Sequence, residues 1–164
     1  MLAGAEDRLQ EAEVLRVNAV AKALHEHRNV GLVTTGVRAE ILHPDRGTKQ
    51  FGKLMQYLAE VSVGGSRTIA EVMVETLPRI RRGASVLLIT PSLDRGWVRP
   101  ASTLRESSIA TQAVVVGSDD TDERDRARRH ALLGELAVAG VRTAHLLPGM
   151  NIEDLFHESM NAIA

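Results

Sequence analysis

The chain has 164 residues, about the size of one domain, and sets 20 Lys and Arg against 21 Asp and Glu for a formal charge of −1, so no basic field is present to hold nucleic acid or an anionic lipid surface. Apolar residues at 44% and charged residues at 25% match an ordinary globular domain, and the few aromatics (Phe51, Tyr57, Trp97, Phe156) build no stacking platform for single-stranded nucleic acid. Without cysteine there is no disulfide, thiolate nucleophile or cysteine-ligated zinc, and no apolar run approaches the ~18 residues of a membrane span. Residues 1–7 lack the basic start of a signal peptide, so the chain as given reads as soluble and cytoplasmic.

Residues 6–27 place Leu9, Val14, Val17, Ala21 and Leu24 near helical spacing, which predicts a long amphipathic helix. Residues 30–35 and 39–43 read as two strands joined by a tight turn at Gly36-Val37-Arg38, hence antiparallel, with Pro44-Asp45-Arg46-Gly47 ending the second. A helix over residues 47–63 carries Phe51, Leu54, Met55, Leu58 and Val61 and exits at Gly64-Gly65. Ser66 can cap a third helix, bent by Pro78, with Ile69, Val72, Met73, Thr76, Leu77 and Ile80 on one side and Arg79, Arg81, Arg82 and Gly83 at its end. The continuous apolar run at residues 85–90 predicts a central strand, covered on both faces. A poorly patterned short helix ends near Ser107, and residues 111–117 form a second buried strand. Residues 118–123 open a helix that Gly140 stops, residues 141–147 are the last strand, and Asn151 caps a closing helix through Ile163. Strands alternating with helices predict parallel pairing through right-handed crossovers, an α/β three-layer sandwich formed by a single domain over residues 1–164.

In such sheets ligands bind at the carboxyl ends of strands, which singles out residues 64–68, 91–96, 118–125 and 148–151. No phosphate-loop or Gly-x-Gly-x-x-Gly motif is present, and the glycine-rich Val63-Gly64-Gly65-Ser66-Arg67-Thr68 serves equally as a helix cap or an anion site. No Gly-x-Ser-x-Gly elbow occurs, and the six histidines form no metal-spaced pair, which makes each a surface or boundary residue. Asp119, Asp120, Asp122 and Asp125 are the densest oxygen cluster and could hold Mg²⁺, although acidic residues suit a helix start without any metal. Arg124, Arg126, Arg128 and Arg129 then read as a solvated face paired with those acids.

The order of Val30-Gly31-Leu32-Val33-Thr34-Thr35-Gly36, His43-Pro44-Asp45-Arg46-Gly47, Gly64-Gly65-Ser66-Arg67-Thr68 and Ile89-Thr90-Pro91-Ser92-Leu93-Asp94 resembles the family numbered 58 among bacterial domains of unknown function, whose members are similar to von Willebrand factor type A domains. The resemblance implies a mostly parallel, doubly wound sheet with one antiparallel edge strand. Its first strand, with the Asp-x-Ser-x-Ser loop of a metal-ion-dependent adhesion site, is missing from this chain. Of that site only Thr68 matches; the aspartate position falls on Pro91, with Ser92 beside it. The resemblance thus implies a degenerate site, no resident metal, and Mg²⁺ only if the upstream loop is supplied. It also implies that residues 30–35 and 85–90 either pair directly or leave a gap for another chain, and that this chain is the C-terminal part of a longer, membrane-anchored protein working with a MoxR-type AAA ATPase.

The leading expectation is a non-catalytic protein-interaction module binding through Thr68, Ser92, Asp94 and Trp97, with Trp97 either a loop anchor or a core residue. As an anchor, Trp97 would tolerate alanine without loss of thermal stability. The alternatives are an Mg²⁺-dependent enzyme acting on a phosphorylated or anionic small molecule, using the Gly64-Gly65 turn and Asp119, Asp120 and Asp122, and a self-associating scaffold in which a homodimer completes the sheet.

Overall fold

In the computed structural model, which describes residues 3–35, 41–60, 66–117, 122–147 and 150, strands and helices alternate as the sequence predicts. In chain order the elements are α1 (Ala3–His25), β1 (Val30–Val33), β2 (Ile41–Asp45), α2 (Thr48–Glu60), α3 (Ile69–Thr76), β3 (Ser85–Thr90), α4 (Val98–Glu106), β4 (Ala110–Val116), α5 (Glu123–Val138) and β5 (Arg142–Leu146). The chain divides into two units, Glu13–Val72 and Met1–Ala12 with Met73–Ala164. No described helix is long and apolar enough to cross a membrane. The predicted closing helix at residues 151–163 lies outside the described residues.

The unit Glu13–Val72 is an antiparallel pair covered by helices. Val20 and Leu24 of α1 meet Leu54 and Leu58 of α2, with Val30, Leu32 and Leu42 of the strands against them. Val14, expected on the buried face of α1, is exposed, and Leu15 is buried instead. Alanine and valine surround this helix on every side, so apolar spacing alone does not fix its orientation. α1 ends with Arg28 N–H donating to Ala23 O and His27 N–H to Leu24 O, both at 3.0 Å. This is the Schellman arrangement, with His27 in the left-handed region at φ 59°.

β2 does not stop before Pro44 but runs through it to Asp45. The register shifts between Val30 and Leu32, so the strand carries a bulge where Pro44 needs no ladder hydrogen bond. Gly31 makes room for it: a Cβ there would stand 2.7 Å from Leu42 O and 3.0 Å from Pro44 Cγ. Buried Gln50 at the start of α2 donates from Nε2 to Val30 O at 2.8 Å and His43 O at 3.1 Å. Two helical turns further on, the Tyr57 hydroxyl is 3.0 Å from Thr34 Oγ1. A rise of about 10 Å from Gln50 to Tyr57 along the helix matches about 13 Å from Val30 to Thr34 along the strand, so α2 runs beside β1 and is bonded near both its ends.

In the other unit β3, β4 and β5 form a parallel sheet in that order. Successive right-handed crossovers in one direction bring α4 and α5 to the same face, where they pack on β4 and β5 and on each other. Residues 111–116 of β4 are all buried on both alternating sides, as their apolar run predicts. The short helix α4 buries Pro100, Ala101 and Leu104. Arg129 of α5, expected on a solvated face, is buried with Leu132 and Leu136; its spacing of three and seven from them puts it on the inner stripe whatever its charge.

The antiparallel pair is a sheet of its own among the described residues, not an edge of the parallel sheet. Among those residues β1 pairs with β2 and β3 with β4, so of the two arrangements the resemblance implied, direct pairing of residues 30–35 with 85–90 is not formed.

Candidate functional site

The parallel strands end at one edge, where Thr90, Val116 and Leu146 lead into loops. After β3 the chain is held by three side chains in succession. Ser92 N–H donates to Thr90 Oγ1 at 3.0 Å, Asp94 N–H to Ser92 Oγ at 3.2 Å, and Gly96 N–H to Asp94 Oδ1 at 3.1 Å. Each is the local bond that serine, threonine and aspartate make to the backbone two residues on. The last caps a single 3₁₀ turn, Arg95–Trp97, that starts α4. Arg95 forms an ion pair with Glu135 of α5, fixing the turn to the neighbouring helix.

Ser92 and Asp94 therefore lie together in this loop, Ser92 half-buried and Asp94 exposed. Trp97, in the same segment, is 0% exposed. That burial corrects its reading as a surface anchor: the 3₁₀ turn rotates the indole inward, and its Nε1 has no hydrogen-bond partner among the described residues. At the ends of the next two strands, half-buried His145 lies over Gly117, where a Cβ would stand 2.5 Å from His145 Nε2. This placement makes His145 a boundary residue, as its spacing suggested.

Thr68 belongs to the unit Glu13–Val72. It, not Ser66, caps α3, in a reciprocal box: Glu71 N–H donates to Thr68 Oγ1 at 3.2 Å, while Thr68 N–H and its hydroxyl donate to Glu71 Oε2 at 2.7 and 3.1 Å. The Thr68 backbone N–H, then its hydroxyl, hold the Glu71 carboxyl below its ordinary value, with a smaller contribution from Arg67. α3 ends at Thr76, short of the expected end at residues 81–83, because Pro78 lacks the N–H a further α-helical bond needs and sits in a 3₁₀ turn, Leu77–Arg79.

Of the acidic cluster, Asp119 and Asp120 lie outside the described residues. Asp122 caps α5, accepting from Arg124 N–H at 2.9 Å, and Asp125 is half-buried in the first turn. Among the described residues no group of three His, Asp or Glu is placed to hold a metal ion. Of the residues that the motif resemblance pointed to, Thr68 in one unit bonds Glu71 through its hydroxyl, and in the other unit Ser92 Oγ accepts from Asp94 N–H beside Pro91. Neither hydroxyl is a charged oxygen of the kind a hard divalent cation needs to displace its water.

No family model matches the chain, and none of the curated proteins compared with it matches either.

Proposed function

We propose that this chain is a non-catalytic protein-interaction module of von Willebrand A-like fold, with a degenerate metal-ion-dependent adhesion site, binding through the loop at residues 91–96. The observation that carries this reading is the run of bonds from Thr90 through Ser92 and Asp94 to Gly96, continued by the Arg95 to Glu135 ion pair. A loop braced by its own side chains loses little conformational freedom on binding, so more of the contact energy appears as affinity. Its position past the end of a parallel strand is where α/β sheets carry recognition residues. Exposed Asp94 supplies an acceptor and a negative charge, and the half-buried Ser92 hydroxyl adds a donor.

A MoxR-type AAA ATPase is the partner that the motif resemblance suggests, and the test uses it purified, with the full chain immobilised. Asp94→Asn keeps an oxygen to cap the 3₁₀ turn while removing the charge, and Ser92→Arg blocks the loop. Each is expected to weaken capture at least tenfold. Equal capture by both variants contradicts the assignment of the loop. A rise in melting temperature that requires ATP and Mg²⁺ contradicts the non-catalytic reading, since ligand at 100 times its dissociation constant adds about 2.7 kcal/mol.

A further inference from the structure

Among the described residues β1, β2, β3 and β5 each have one unpaired side. Such a side offers a row of N–H and C=O groups to any passing strand, and proteins blunt it with charge, proline, bulges or shortness. β2 contains Pro44 and Asp45 and is bulged opposite Gly31, β1 is four residues long, and β5 carries Arg142 and His145. β3 has none of these devices. Its six residues, Ser85-Val86-Leu87-Leu88-Ile89-Thr90, contain no charge, proline or glycine and follow β4 in unbroken register. Four consecutive aliphatic residues, apolar on both faces, are the composition of a strand paired on both sides.

We infer that β3 is a dimerisation strand: two copies of this chain pair β3 against β3 antiparallel about a two-fold axis, making one six-stranded sheet. Two observations select a second copy as the occupant. A two-fold pairing sets each residue against one from the same strand, so a charge at the axis would face itself; β3 carries none. Edge-to-edge pairing by a two-fold normal to the sheet centres on a residue, because opposed side chains must share a face. With Leu88 at the centre, exposed Arg82 stands as many residues before the axis as exposed Asp94 stands after it. The basic end of one copy thus runs beside the acidic end of the other, while the adjacent Arg95 is neutralised by Glu135 of its own chain. Asp94 also belongs to the loop proposed to bind a partner, so the test places its substitutions within β3 and reads only mass and cross-linking, whose outcome does not depend on partner capture.

The chain lacks cysteine, so one substitution provides one thiol. Sedimentation equilibrium of the unaltered chain is expected to give the mass of two chains. Leu88→Cys places both thiols at the axis, with Cα atoms about 5 Å apart, and is expected to form a covalent dimer on mild oxidation. Ser85→Cys holds its two thiols about 20 Å apart along the strands and is expected to remain uncross-linked. The mass of a single chain at every concentration overturns the inference. Cross-linking of Ser85→Cys as efficient as that of Leu88→Cys overturns it in favour of a dimer through a different surface.

Discussion

Trp97 and Gln50 show how a single buried side chain governs each unit. Trp97 is fully enclosed, so Trp97→Ala leaves a cavity the size of an indole and is expected to cost about 3–5 kcal/mol in denaturant unfolding. Trp97→Phe, which also removes a buried N–H with no partner among the described residues, is expected to cost less. Gln50 bonds the two carbonyls beside the β-bulge, and Gln50→Ala is expected to cost about 1–3 kcal/mol by leaving them unsatisfied. A Gln50→Ala variant with unchanged stability contradicts that role. Neither residue announced its position. A lone tryptophan after a turn suits a core or a surface equally well, and glutamine reads as polar until a bulge nearby gives it two carbonyls to serve. Arg129 is similar, because its helical phase is inward while its charge argues outward.

At the scale of elements, the end signals that rest on backbone freedom were the most legible. Gly140 marks the end of α5 at φ 71°, with Val141 N–H donating to Leu136 O at 2.9 Å. The same arrangement ends α4 at Ser108, φ 61°, and α1 at His27, but there a non-glycine residue takes the left-handed conformation and gives no such signal. The long apolar runs at residues 85–90 and 111–117 located β3 and β4 because no amphipathic helix has that pattern. Pro44 misplaced the end of β2, since its tolerance depends on Gly31 across the pair. At the start of α3, Glu71 is exposed and its carboxyl is held below the usual value near 4.5, so its capping contribution is present above that pH and fades as pH falls through the lower folded value. Melting temperature followed against pH is expected to show a Glu71→Gln variant below the unaltered chain above about pH 4.5, with the gap closing in acid. A gap that persists unchanged in acid contradicts the capping box as its source. High salt is expected to narrow it, because the group is open to solvent.

At the scale of the whole molecule, the alternation of strands and helices gave the α/β class, but not the separation of the antiparallel pair from the parallel sheet. Pairing between distant strands depends on which edges meet, and local sequence carries no record of that. The candidate site was legible as a place, the loops past strand ends, and Ser92 and Asp94 do lie together there. Its brace was not legible, because the bonds from Thr90 to Gly96 run between side chain and backbone in a stretch without periodicity. The binding role of that loop is the central claim, and the most direct measurement is an amide-resolved NMR titration of the labelled chain with a purified MoxR-type AAA ATPase. The expected result is a set of shifts centred on the Ser92, Asp94 and Gly96 amides. Shifts confined to other elements, or a spectrum unchanged at saturating partner, would contradict it.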